Sequence, residues 1–390
     1  MWAMIVKEFR QLRRDRRTLA MMIALPVLLL VVLGYAASFD VKSVTVAVAG
    51  PQAALVGRAL PRPTSSSTGF QVVSSDPSAG RTWAQDQLRD GHAQVAVVTT
   101  GTGAPSVLID GSQLFAAQAT LAALSKLSSS AAATRLPRPQ VTILYNPNLT
   151  TSYVMIPGLA GVILVFIGTI ITSLGVVRER QSGTLEQLAV MPLRPRDVFL
   201  GKIVPYFVVA AVDLAIVIGV GIAVFGVPFR GSPAVFALGS LLFVFVTLGI
   251  GVLISTVSQN QGQAIQLAVM TMLPQVLLSG LIFPLSSIVA GVRWISYLLP
   301  LTYFNEISRG VMLRAEPIGP LWQPFTFLAL LGLVVVTLAI LRFRRYLAPS
   351  PAGRRRLGRP GGQGQHGGRA GDAADGAGQR ITAQGGGMSA

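Results

Sequence analysis

The chain has 390 residues, 51% hydrophobic and only 12% charged, whereas soluble domains carry about 25% charged residues. With no cysteine and 2 histidines, a disulfide scaffold and a thiolate metal site are excluded, and little remains for transition-metal chemistry. A net charge of +17 would suit nucleic acid, but the basic residues flank long apolar runs as they do in membrane proteins, so no nucleic-acid partner is expected.

Residues 1–17 place Trp2, Ile5, Phe9 and Leu12 at helical spacing with basic residues between them. Such a segment is expected to lie as a helix in the cytoplasmic interface, its apolar side in lipid and its arginines at the headgroups. Residues 18–38 (TLAMMIALPVLLLVVLGYAAS) form the first expected span. Their apolar core exceeds the roughly 7–15 residues of a signal peptide, and further spans follow.

Residues 39–152 differ in kind. SVTVAVA (43–49), FQVVSS (70–75), AQVAVVT (93–99), SVLID (106–110) and QVTILY (140–145) read as strands, β-branched and bounded by Gly, Pro and Asp. PQAALVGRAL (51–60), RTWAQDQLRDG (81–91) and SQLFAAQATLAALSKL (112–127) read as helices. This alternation predicts a small α/β domain inserted outside the cytoplasm between spans one and two. Its carboxylates show no metal-ligand spacing.

Five more apolar runs follow within 153–346, at 154–177, 203–226, 234–257, 264–284 and 321–341, each near the ~20 residues that cross a bilayer. The fold class expected is therefore an α-helical polytopic membrane protein with six transmembrane helices. Arg178, Arg180, Arg194, Arg196 and Lys202 fill the loop 178–202, and Arg342, Arg344 and Arg345 follow the last span, while the loop 227–233 has Arg230 alone. The positive-inside rule then puts both termini and loop 178–202 in the cytoplasm of a multi-pass plasma-membrane protein, which an even number of spans permits. Gly219, Gly221, Gly249 and Gly251 allow close helix approach. Residues 347–390, Gly- and Arg-rich, are expected to form a disordered basic cytoplasmic tail.

Two places within the spans invite function. Asp213, near the middle of the third, would cost about 2.5–3.5 kcal/mol to insert alone. It is expected to face the protein interior, lining a pathway or hydrogen-bonded to Gln266, Gln275, Thr169 or Thr172. In the loop, Ser182-Gly183-Thr184-Leu185-Glu186-Gln187-Leu188 reads as a helix start: Ser182 or Thr184 can cap, Glu186 suits the macrodipole, and Pro192 and Pro195 stop it. Such a helix, joined to two spans, suits docking on a partner, although an orienting loop would also be basic. No GxxxxGK[ST], HExxH or GxSxG pattern occurs, so no catalytic residue and no metal site is expected in this chain.

These stretches resemble the membrane subunit of type-2 ABC exporters. KEFRQLRRDRRTL (7–19) is similar to that family's interfacial helix, and YNPNLTTSYVMIPGL (145–159) to its re-entry into span two. RERQSGTLEQLAVMPLRPRDVFLGK (178–202) matches its cytoplasmic loop, with E-x-x-x-GT-x-E-x-L, a proline and GK. IFPLSSI (282–288) and LLPLTYFNEISRGVML (298–313) resemble its partly re-entrant outer segment, here 282–320. The resemblance implies that Glu179, Gly183, Thr184, Leu185, Glu186, Leu188 and Pro192 contact a separate ABC ATPase subunit, where ATP and magnesium bind. It implies an outer gate around Phe283, Pro284, Pro300 and Tyr303, a homodimer or a heterodimer with a similar permease, and export of a drug, lipid or similar amphipathic substrate past Asp213, Gln266 and Gln275. A gradient-driven secondary transporter or channel is the alternative. It would want several buried ionisable residues and repeated halves.

Overall fold

The computed structural model describes residues 41, 43–63, 68–101, 103–129, 139–182 and 195–347, without the side chains of 195–203, 290 and 343–347. The expected interfacial helix, span one, the tail and residues 183–194 of the loop lie outside these residues.

The first part is a five-stranded sheet in the order β2-β1-β3-β4-β5. Its strands are β1 (Ser43–Ala49), β2 (Gly69–Asp76), β3 (Val95–Val98), β4 (Ser106–Asp110) and β5 (Gln140–Leu144). All neighbours are parallel except β3 and β4, which pair antiparallel from Val95↔Ile109 to Val98↔Ser106. Both faces are covered, which explains why β3 is a continuous buried apolar run rather than an alternating one. Val44, Val46, Val95, Val107 and Ile109 pack under α1 (Ala53–Ala59) and α3 (Leu114–Ser129). On the other face Ala47, Ala49, Ala96 and Leu108 meet Ala84 and Leu88 of α2 (Arg81–Arg89).

A tight junction then turns the chain into the helical part. Tyr145 and Leu149 adopt positive φ (66° and 49°), and Asn146 holds the turn between them. Its Oδ1 accepts from Thr150 N at 2.9 Å, and its Nδ2 donates to Thr150 O at 3.0 Å. Helix α4 (Thr151–Phe166) continues through a π-helical turn, Ile167–Ile171, into α5 (Thr172–Gln181). There follow α6 (Pro195–Phe225), α7 (Pro233–Val257), α8 (Gln261–Leu278), a 3₁₀ turn (Leu285–Ser287), α9 (Ala290–Ser296), α10 (Pro300–Arg314) and α11 (Trp322–Leu347). The bundle core joins α4, α6, α7, α10 and α11, with Phe243 stacked on Phe304 at 4.4 Å.

Among the described residues, four segments are long and apolar enough to cross a membrane: Thr151–Gln181, Val204–Phe225, Pro233–Val257 and Trp322–Arg342. The fifth run expected, 264–284, differs. Helix α8 stops at Leu278, and its 18 residues reach about 27 Å at 1.5 Å each, short of a ~30 Å hydrocarbon core. Gln263, Gln266, Thr271 and Gln275 also dilute its apolar character. Burial separates the spans further: 61% of the apolar window is buried in Thr151–Gln181 and in Pro233–Val257, but 17% in Val204–Phe225. Helix α6 therefore turns most of its surface away from the described part of the chain.

Candidate functional site

Three places along the bundle carry polar chemistry. The first is where loop 178–202 leaves α5. Arg180 reaches across to the end of α7, its Nη1 donating to Ser255 O at 3.2 Å and its Nη2 to Ser258 O. These are carbonyls that the end of a helix leaves without an intrahelical donor, and a cation is favoured there. Beside it Gln261 Nε2 donates to Gln181 Oε1 at 2.9 Å. The start of α8 is fixed by a reciprocal box: Asn260 Oδ1 accepts from Gln263 N, and Gln263 Oε1 accepts from Gln259 N, both at 2.9 Å. The root of the loop is thus tied to the turn between α7 and α8. Glu179 lies in this last turn of α5, whereas Gly183, Thr184, Leu185, Glu186, Leu188 and Pro192 fall outside the described residues.

The second place is mid-bundle, where the π turn crosses α7. A Cβ on Gly251 would stand 2.1 Å from Gly168 O, so the two backbones touch there. Gly249 packs instead on the side chains of Val335 and Val336, while Gly219 faces open space. A π turn takes one residue more than the α-helix allots and is frequent at functional sites. Gln266 Oε1 and Gln275 Oε1 on α8 and Thr172 Oγ1 on α5 are buried without a hydrogen-bond partner. Asp213 is only partly buried, and no hydrogen bond to it forms among the described residues. The pairing expected with Gln266, Gln275, Thr169 or Thr172 is absent for a geometric reason. Helices α6 and α8 share α4, the π turn and α7 as neighbours but do not pack substantially on each other, and Thr169 Oγ1 is spent on Val165 O at 2.6 Å.

The third place joins the sheet to the bundle. Arg314, at the end of α10, is 4% exposed and lies between two buried carboxylates. Its Nη2 sits 2.5 Å from Glu316 Oε2, and its Nη1 sits 3.6 Å from Asp110 Oδ2 at the end of β4. Asp110 Oδ1 accepts from Ser112 N at 2.9 Å and Ser112 Oγ at 2.6 Å. Burial raises the Asp110 carboxyl, with Arg314 opposing, and does the same at Glu316. Burial works to lower Arg314, but Glu316 and Asp110 outweigh it and hold the guanidinium above its ordinary value. Arg230, from the turn between α6 and α7, donates its backbone N to Met312 O at 3.0 Å and its Nη1 to Leu313 O at 3.5 Å. The single cation of that loop thus serves the carbonyl end of α10.

The four residues expected at an outer gate lie between the end of α8 and the start of α10, with Phe283 and Tyr303 in separate apolar clusters. Phe283 is buried with Leu278 and Ile288, and Pro284 opens the 3₁₀ turn. Pro300 is buried at the first position of α10, where its missing N–H costs nothing. Tyr303 donates its hydroxyl to Tyr297 O at 2.6 Å and stacks on Phe327 at 5.5 Å. Arg180, Arg314 and the Asn260–Gln263 box were not singled out from sequence. Only the box had a local signal, Asn three places before Gln at the head of an apolar run; the arginines' partners are distant in the chain.

Comparison with known proteins agrees with this architecture. The model of the ABC-2 family transporter protein family matches residues 16–341. The chain is 28% identical over 362 residues to the "Probable multidrug ABC transporter permease YbhR" of Escherichia coli (strain K12), covering 88% of this chain and 98% of that one. YbhS of the same strain, named likewise, is 28% identical over 367 residues, covering 88% and 97%. The "Inner membrane transport permease YhhJ" is 30% identical over 207 residues, covering 52% and 54%. With apolar helices of membrane length and a family match over most of its residues, the chain belongs to the ABC-2 family of transporter proteins.

Proposed function

We propose that the chain is the membrane permease subunit of an ATP-driven exporter and that it moves a hydrophobic or amphipathic compound, a drug or lipid, out of the cell. The names of YbhR and YbhS support the multidrug reading. Two copies, or one with a similar permease, would pair in the membrane. Each would dock a separate ABC ATPase, the site of ATP and magnesium, through Glu179 and the segment Gly183, Thr184, Leu185, Glu186, Leu188 and Pro192. In this reading residues 18–38 and α8 complete six spans, both termini face the cytoplasm, and the sheet stands outside.

The observation that carries the mechanism is the bond pair from Arg180 to Ser255 and Ser258. A push on loop 178–202 would reach α7 and α8 through it, as well as α5 and α6. ATP-driven closure of the partner would bias two arrangements of these helices, inward- and outward-open. Gln266 and Gln275, buried with unpartnered oxygens, would contribute to the pathway between them. Asp213 would contribute from α6, and Phe283, Pro284, Pro300 and Tyr303 would close its outer end.

The test is co-purification. Glu186→Arg should detach the ATPase from the membrane complex, or uncouple hydrolysis from export, while the chain remains inserted. Full export by the purified chain in vesicles without nucleotide or a second protein would overturn the reading and favour a gradient-driven transporter.

A further inference from the structure

Between the sheet and the bundle lies a cavity of about 230 Å³, walled by the start of α3, the segment after α8 and one face of α10. Two of its charged groups, Arg309 and Glu306, have no ion-pair partner among the described residues. Arg309 is held by its Nη2, which donates to Gly280 O at 3.2 Å, while its Nε is buried without a partner. Glu306, one turn earlier on α10, is exposed to the cavity. No ion pair forms between the two among the described residues, although residues three apart on a helix are neighbours. Arg314, which also borders the cavity, differs because Glu316 and Asp110 already neutralise it. Asn305, 2% exposed, turns its amide nitrogen to Ser279 and leaves Oδ1 without a partner.

A buried donor without an acceptor costs about 1–3 kcal/mol, more when charged, so such a group in an open cavity points to a ligand that supplies the acceptor. A simple anion at Arg309 would be repelled by Glu306, and a simple cation at Glu306 by Arg309. A molecule carrying both charges a few atoms apart meets neither objection. The rest of the wall is mixed, with Leu114, Phe115, Val154 and Leu285 beside Gln94, Gln113, Ser286 and Thr302. Trp294, Tyr297 and Trp322, on the segments that flank α10 in the chain, are exposed, as aromatic residues are at a membrane–water interface. The volume is below the ~300–1,000 Å³ of sites that enclose a drug-sized molecule, so it suits a headgroup whose tails lie outside.

We propose that this cavity binds the headgroup of a zwitterionic amphiphile, a primary amine linked to a phosphate or carboxylate, with Arg309 taking the anion and Glu306 the ammonium. The source is either a membrane lipid or a soluble compound with the same headgroup. The inference concerns binding alone and does not depend on ATP-driven export.

The experiment is calorimetric titration of the full chain in detergent micelles, without ATPase, using three probes: short-chain phosphatidylethanolamine, short-chain phosphatidylglycerol and O-phosphoethanolamine. The ethanolamine lipid should bind at least about tenfold more tightly than the glycerol lipid, because only the former satisfies Glu306. Arg309→Gln should weaken the ethanolamine lipid by about tenfold or more, the loss of a charge-assisted bond. Glu306→Gln, at an exposed position that folding tolerates, should erase the preference by weakening the ethanolamine lipid and not the glycerol one. If O-phosphoethanolamine binds as tightly as the short-chain lipid, the cavity recognises a soluble headgroup; if it binds more weakly, the tails belong to the ligand. Either result supports the proposal. Equal affinity of the wild type for the two lipids, or a preference that survives Glu306→Gln, overturns it even should Arg309→Gln fail to fold.

Discussion

Replacing Arg314 by methionine removes the cation from between two carboxylates that are 1% and 3% exposed. Breaking a buried ion pair from one side costs about 3–5 kcal/mol, because the surviving charge stays desolvated. At 1.4 kcal/mol per factor of ten, local opening of the junction should become roughly 10² to 10³·⁵ times more frequent. Hydrogen exchange reads this directly at two amides: Glu316 N, bonded to Gly310 O at 3.0 Å, and Gly111 N, bonded to Leu144 O at 3.0 Å. The deficit should also depend on pH. Burial already raises Asp110 and Glu316 against the opposition of Arg314, so without the arginine both rise further. A carboxyl raised in the folded state favours folding fully below its unfolded value, and the advantage is lost as pH climbs through the folded value. Exchange in Arg314→Met should therefore be faster at alkaline than at acid pH after correction for the intrinsic rate. Adding Asp110→Asn and Glu316→Gln should restore most of the protection. Exchange within about threefold of wild type at both amides would refute the view that this arginine holds the sheet to the bundle, since the expected effect is far larger.

Gly251→Ala should destabilise the bundle by about 1–3 kcal/mol through overpacking, whereas Gly219→Ala, with nothing within 4 Å of the added Cβ, should stay within about 0.5 kcal/mol. Thermal denaturation of the two variants in detergent makes the comparison, and equal midpoints would count against the close crossing. Arg180→Gln loses charge-assisted bonds to two carbonyls, each contributing about 1.5–3 kcal/mol, and should lower substrate exported per ATP hydrolysed by about tenfold with the ATPase still bound. An unchanged ratio would show that force reaches α7 and α8 by another route. Asp213→Asn should reduce export by an assembled complex; unchanged export would leave this residue only a neutral hydrogen-bonding role.

What the sequence disclosed depended on how local the cause was. SVLID stands as β4 with the expected bounds, Ser106–Asp110, and the β-branched runs at 43–49 and 140–145 fall within a residue of β1 and β5, because strand propensity and bounding turns are neighbours in the chain. The apolar runs marked the helices for the same reason. Their ends shifted where polar chemistry intervened, as at Leu278, where Ser279 and Gly280 end a helix expected to continue to 284. Lateral neighbours were not legible. Asp213 and Gln266 both looked like interior polar groups in search of one another, yet α6 and α8 are separated by the neighbours they share and do not pack substantially on each other. Arg180 counted only as one more positive charge, although its partners lie 75 and 78 positions away. The π turn had no signal, since IGTII reads equally well as ordinary α-helix.

That extra residue in Ile167–Ile171 has an azimuthal consequence. At 3.6 residues per turn an α-helix spends about 100° of rotation on each residue, and the π turn absorbs one residue without that rotation. Helix α5 is thus phased independently of α4: the upper half keeps its contacts with α10 while the lower half aims Arg180 at the last carbonyls of α7. Forcing those residues into ordinary α-helix, with their number unchanged, would swing that guanidinium a quarter of the way round the cylinder, and the two halves of one span would no longer be able to satisfy their separate neighbours together.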